Sequence, residues 1–141
     1  MAKLTSRDLQ IYIQQQHMSQ MIAHVVKENP LEACGLVAGL SDKSLQVFPI
    51  KNILKSPARY QMDPKEQINV FMLNEERGWD LLAIYHSHPI GMRTPSQTDI
   101  EEAYYPDTIH LIFSLINKNW KCLAYIIKDK DVQELEIILS S

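Results

Sequence analysis

The run Leu81-Leu82-Ala83-Ile84-Tyr85-His86 constrains this chain more than any other segment. It is β-rich and apolar until its last residue, and it reads as a central strand, covered on both faces. A bilayer span needs roughly 20 apolar residues, and no run here approaches that. Around this strand the chain breaks into short elements. Leu9, Ile11 and Ile13 alternate with polar residues, as in a short strand, behind eight residues that read as a frayed start. Gln14 to Glu28 carries Met18, Met21, Ile22, Val25 and Val26 at helical spacing, and Asn29-Pro30 stops it.

Ala33 to Leu40 and Leu45 to Ile50 flank the polar turn Ser41-Asp42-Lys43-Ser44, a hairpin pattern. Asp63-Pro64-Lys65-Glu66 is a helix start, with Asp63 as N-cap and Pro64 at the first helical position. Ile68, Phe71 and Met72 are its expected buried side, and Gly78 ends it. Ser96 to Tyr105 reads as a short helix. Ile109 to Ile116, Cys122 to Lys128 and Leu135 to Leu139 read as strands, separated by turns at Asn117-Lys118-Asn119 and Asp129-Lys130-Asp131. The predicted order is β-α-β-β-α-β-α-β-β-β. That is an α/β or α+β three-layer sandwich around a mixed sheet, in a single domain over 1–141.

Composition excludes several classes. At 45% apolar and 22% charged residues, the chain is neither a disordered tail nor a membrane protein. A formal net charge of −3 argues against nucleic acid as the main partner. Without the apolar core of a signal peptide, the expectation is a soluble cytoplasmic protein. Cys34 and Cys122 form no CxxC and are expected to be buried thiols, not a disulfide.

The chemistry gathers in His86-Ser87-His88-Pro89 and in Ser96-Gln97-Thr98-Asp99. Two histidines at i and i+2 of a strand point to one face, so their imidazoles can converge on one cation. Asp99, on the first turn of the following helix, can fold back toward them. Two histidines and a carboxylate leave one tetrahedral position open, the ligand count of catalytic zinc. A hydrolase also needs a proton carrier, and Glu32, opening an apolar strand, is the best placed. Ser96 is a candidate donor to an oxyanion. The plainer readings stand beside these. Ser96 and Asp99 also spell a helix capping box, a role for which a metal-bound Asp99 would be a poor partner, and Glu32 could be a solvated strand start. His17 and His24 read as solvent-facing, and His110 as structural.

Glu32, His86-Ser87-His88, Ser96 and Asp99, in that spacing and with Pro30-Leu31-Glu32-Ala33-Cys34-Gly35-Leu36 upstream, resemble the JAMM (MPN-plus) metallopeptidase signature. The resemblance implies one zinc ion per chain on His86, His88 and Asp99. It implies Glu32 as general acid/base and Ser96 as transition-state stabiliser. It also implies a curved sheet with helices on both sides, similar to the cytidine deaminase fold. Asn52, Ser56-Pro57-Ala58-Arg59-Tyr60 and Met62-Asp63-Pro64-Lys65-Glu66-Gln67 resemble the compact prokaryotic branch, whose bacterial members act on sulfur-carrier proteins of cysteine biosynthesis. The implied partner is a ubiquitin-like or sulfur-carrier protein ending in Gly-Gly, cut after that tail, for example with release of cysteine. Removal of a modifier from lysine and a non-catalytic scaffold are the alternatives. The loop from Asn52 to Met62 is the candidate wall of the tail groove, with Asn52, Arg59 and Tyr60 as candidate substrate contacts.

Overall fold

A computed structural model describes residues 10–141. The frayed start and Leu9, the first apolar position of the predicted first strand, lie outside the described residues. The elements are β1 (Gln10–Gln14), α1 (Gln15–Glu28), β2 (Cys34–Leu40), β3 (Lys43–Ile50), α2 (Pro64–Arg77), β4 (Asp80–His88), α3 (Gln97–Glu101), β5 (Ile109–Ile116), β6 (Asn119–Lys128) and β7 (Asp131–Ser140). Their order is the predicted one, and the boundaries moved. Strand β4 runs through His88. Helix α3 is only five residues long, so Tyr104 and Tyr105 lie in the loop beyond it.

The three hairpin turns are tighter than their polar stretches suggested. Ser41-Asp42, Asn117-Lys118 and Asp129-Lys130 each place both residues at positive φ, between 50° and 69°. That left-handed pair matches the right-handed twist of the flanking strands, so two residues suffice and each following strand starts earlier.

Strand β2 lies antiparallel between β3 and β4, β4 is parallel to β5, and β5, β6 and β7 form an antiparallel meander. Strand β1 is parallel to β7 and meets β3 at the single pair Tyr12↔Lys43. The sheet is therefore mixed and curved, as expected, and curved far enough that its two ends meet in a ring.

Its two faces bury separate cores because side chains alternate along each strand. On one face Ala83 and Tyr85 of β4 pack with Met21 and Val25 of α1. On the other, Ile84 packs with Cys34, Leu36, Met62 and Val70 of α2. Gly35 permits the first packing, since a Cβ there would fall 2.2 Å from the Tyr85 ring.

Both long helices rotate relative to expectation. In α2 the buried positions are Val70 and Asn74, with Phe71 partly buried, whereas Ile68 and Met72 are 56% and 64% exposed. A 3.6-residue period offered either stripe, and the sheet selected the one with the smaller apolar load. In α1 the buried stripe is His17, Met21 and Val25. His17 is thus buried, not solvent-facing, with Nδ1 2.7 Å from Ser44 Oγ. His24 is half-buried, with Nδ1 2.7 Å from the Tyr85 hydroxyl. Among the described residues no helix is long and apolar enough to cross a membrane.

Burial lowers the His17 pKa below 6.5. The unfolded chain therefore takes up a proton that the folded chain refuses, and stability is full above pH 6.5 and lost as pH falls below it. The denaturant midpoint is expected to drop between pH 7.5 and 5, and to drop less in His17→Leu. An equal drop in both proteins would show that His17 does not carry this linkage.

Candidate active site

The site is built on the end of β4. Ile84 points into the α2-side core, so His86 and His88 point to that same side. Both are buried, at 0% and 7% exposure. After Pro89, the chain turns through Gly91, at φ +86°, and enters α3 with Ser96 as its N-cap. The capping box is real: Ser96 Oγ accepts the Asp99 N–H at 3.0 Å, and Asp99 Oδ2 accepts the Ser96 N–H at 2.8 Å. One carboxylate oxygen of Asp99 serves both the cap and the cluster. The same Oδ2 lies 3.1 Å from Nε2 of both His86 and His88, and the two Nε2 atoms are 3.0 Å apart. The Ser96 hydroxyl, accepting through its oxygen, keeps its own proton for another partner.

The surroundings orient these donors. His88 donates its Nδ1–H to the Met92 carbonyl at 2.8 Å, which leaves Nε2 with a lone pair facing the cluster. The Ser114 hydroxyl donates to the same carbonyl. Tyr60 stacks on His86, with centroids 4.6 Å apart and planes at 27°. His86 Nδ1 is buried without a hydrogen-bond partner among the described residues.

Burial lowers the pKa of His86. In His88 burial acts the same way, but the bonds to Asp99 and Met92 outweigh it and the pKa rises. Asp99, despite burial, is held well below the ordinary carboxylate range by the two imidazoles. Three electron-pair donors thus crowd one point at the edge of a cavity that Asp99 lines. A cation resolves that crowding. Tetrahedral zinc, with bonds of about 2.0–2.1 Å, sets its ligand atoms about 3.3 Å apart, within a few tenths of an ångström of the observed edges. Among the described residues this is the one group of three or more His, Cys, Asp or Glu side chains with donor atoms all within 4.8 Å of one another.

Glu32 reaches the site by register. Cys34 pairs with His86, and Ser87 N–H donates to the Ala33 carbonyl at 3.0 Å. Continuing the antiparallel pairing brings Glu32 opposite His88. Ser87 locks the pairing a second time, its Oγ accepting the Ala33 N–H at 2.8 Å. Glu32 is 5% exposed. Burial pushes its pKa up to about 8, with His88 pulling it down and Asp99 pushing it up. Cys34, buried beside it, is pushed up to about 12 chiefly by burial and is no thiolate nucleophile.

The loop candidates divide. Asn52 commits its whole amide to the protein: Nδ2 donates to the carbonyls of Glu32 and Arg59, and Oδ1 accepts the N–H groups of Leu54 and Gln61. Expected as a substrate contact, it is saturated by backbone and instead positions Glu32. Arg59 faces Glu102 at 3.7 Å across the mouth of a 410 Å³ cavity that Tyr60, His110 and Asp99 also line. A second cavity, of 420 Å³, lies on the side of Glu32.

The contribution of Ser87 and of the Met92 carbonyl was not anticipated. A hydroxyl between two histidines in an apolar run was the available signal for Ser87. A backbone carbonyl leaves no signal in sequence.

The model of prokaryotic homologs of the JAB domain matches residues 14–135. The CysO-cysteine peptidase of Mycobacterium tuberculosis is 35% identical over 99 residues, covering 69% of this chain and 68% of that protein. The desampylase of Pyrococcus furiosus is 30% identical over 125 residues, covering 88% and 87%. The solution structure of a protein from Desulfitobacterium hafniense superposes with a TM-score of 0.81 at 36% identity, covering 92% of each chain.

Ser87→Ala should strand the buried Ala33 N–H and cost roughly 1–3 kcal/mol of stability. A lowered denaturation midpoint, together with faster hydrogen exchange at the Ala33 amide, is the expected result. Unchanged exchange at Ala33 would mean that the hydroxyl does not hold the two strands in register.

Proposed function

This chain belongs to the JAMM/MPN family in its prokaryotic JAB-domain form, and on that premise we propose that it is a zinc-dependent hydrolase. In this reading it cleaves the peptide or isopeptide bond after the Gly-Gly tail of a ubiquitin-like or sulfur-carrier protein, as in release of cysteine from a carrier adduct. The observation that carries the reading is the convergence of His86 Nε2, His88 Nε2 and Asp99 Oδ2 at 3.0–3.1 Å, with buried Glu32 beside them. The activities for which the mycobacterial and archaeal relatives are named, both on small carrier conjugates, support the substrate class. Two free cysteines suit a reducing, cytoplasmic setting.

His86, His88 and Asp99 would hold the zinc. Bound there, it supplies Lewis acidity toward the scissile carbonyl and lowers the pKa of water near it. Glu32 takes the proton released by the attacking water and delivers it to the leaving nitrogen. A buried carboxyl group whose pKa burial raises can act as base and then as acid. Ser96 turns its free hydroxyl proton to the oxyanion that develops on the substrate. Two glycines suit the approach, because a narrow slot admits backbone where a side chain would clash. Removal of a modifier from a lysine is the second reading, favoured by the desampylase likeness. A scaffold without activity is disfavoured, because the full donor set is present.

The direct test incubates the protein with a ubiquitin-like carrier extended past Gly-Gly and follows its mass, with and without a chelator. Cleavage that chelation abolishes is expected, and chelator-insensitive cleavage would remove zinc from the reaction. Glu32→Gln should retain zinc and lose about 10²–10⁴-fold in kcat. Full turnover in that variant would place the base elsewhere. His88→Ala and Asp99→Ala should each lose zinc on elemental analysis, and full occupancy in both would refute these ligands. Activity should fall with acid as the imidazoles protonate and release metal, whereas a flat profile to pH 4 would contradict that.

A further inference from the structure

The loop that carries the chain from His88 to Asp99 is held to the sheet by polar bonds. Ile90, Met92, Arg93 and Thr94 are all exposed, so apolar burial does not fix this stretch. Its backbone is tied instead at two consecutive carbonyls. The Met92 carbonyl accepts His88 Nδ1–H at 2.8 Å and also accepts the Ser114 hydroxyl. The Arg93 carbonyl accepts the Tyr125 hydroxyl at 2.9 Å. Among the described residues these three are the side-chain bonds that reach the backbone of residues 90–94. The donors come from β4, β5 and β6, which are neighbours in the sheet. Ser114 stands opposite His88 in the register, and Tyr125 stands opposite His110, itself opposite Ile84. Both hydroxyls therefore lie on the face that carries the cluster.

Ser114 and Tyr125 are both buried, and each hydroxyl makes this one bond among the described residues. Burying a hydroxyl is unfavourable unless it is bonded, and an apolar side chain could fill either position without that requirement. What the two hydroxyls grip bears on a candidate ligand. A carbonyl oxygen has two lone pairs, and Met92 gives one to His88 and one to Ser114. Displacing that oxygen would turn the His88 ring and move Nε2, the atom 3.1 Å from Asp99 Oδ2. The same loop joins His88 to Asp99, so its path also sets where the carboxylate turns back toward the imidazoles. Groups one bond removed from a metal ligand typically change metal affinity about 10- to 100-fold when they are lost.

We propose that Ser114 and Tyr125 are positioning residues of the metal centre: by fixing the Met92 and Arg93 carbonyls they hold His88 in its ligating orientation, and zinc affinity depends on both hydroxyls. This inference rests on the zinc reading above.

The test strips the protein of metal, titrates it with zinc against a chromophoric chelator, and reads the zinc Kd. Ser114→Ala and Tyr125→Phe each remove one hydroxyl and little else. Each is expected to raise the zinc Kd about 10- to 100-fold, whereas Ser114→Thr, which keeps the hydroxyl, should retain most of the affinity. Tyr12→Phe removes a hydroxyl that bonds Gln10 on β1, away from the loop, and should leave the Kd unchanged. The melting midpoint of each metal-free variant separates positioning from stability. A lowered midpoint with an unchanged Kd in both Ser114→Ala and Tyr125→Phe would make the hydroxyls merely structural and overturn the inference. An equal rise of Kd in Tyr12→Phe would overturn it as well. Failure of the unaltered protein to bind zinc would instead overturn the zinc reading itself.

Discussion

The pairing of β2 with β4 governs what the rest of this molecule can do. It is antiparallel, it is buried on both faces, and it carries a residue from each half of the site: Glu32 just ahead of one strand, His86 and His88 at the end of the other. A slip of β4 by one residue would send both imidazoles into the α1-side core, away from Glu32. Three devices oppose such a slip. Gly35 accepts the Tyr85 ring where any Cβ would collide. Ser87 bonds Ala33 through both its amide and its hydroxyl. Asn52 holds the Glu32 carbonyl from the loop. None of the three belongs to the reacting set, yet the distances within that set depend on them.

The donors at the cluster are held unequally. His88 is fixed at its far nitrogen by Met92, and Asp99 by the Ser96 amide, whereas the far nitrogen of His86, Nδ1, has no partner among the described residues and its ring is held under Tyr60. The capping box contributes to this arrangement, since a single Asp99 oxygen both starts the helix and faces the histidines.

Much of this was legible in the sequence, for physical reasons that differ between residues. The order of elements followed from short apolar runs broken by turn residues, and His86, His88 and Asp99 followed from two chemical periodicities, one of a strand and one of a helix start. Glu32 was legible only with the pattern around it, because a lone glutamate ahead of a strand is ordinarily solvated. What failed to show was rotation about helix axes. Ile68 and Met72 are the more apolar stripe of α2, yet Val70 and Asn74 face the sheet, the latter with no hydrogen bond for its buried amide among the described residues. His17 eluded the sequence for the same reason, since a polar residue on a buried stripe can be recognised only once its partner, here Ser44, is in place. Asn52 stood out by its surroundings but not by its role, because four bonds to backbone are a property of a folded loop and not of a residue type.

The three hairpins have a bearing on how this protein can be altered. Six of their tip residues occupy left-handed backbone without being glycine, and each side chain in that region carries a penalty of about 1 kcal/mol. These tips belong neither to the cluster of His86, His88 and Asp99 nor to either of its flanking cavities. Thermal endurance can therefore be raised one tip at a time, with Asn-Gly or Asp-Gly pairs, without touching the candidate site. A lineage moving to hotter surroundings would find its easiest substitutions there.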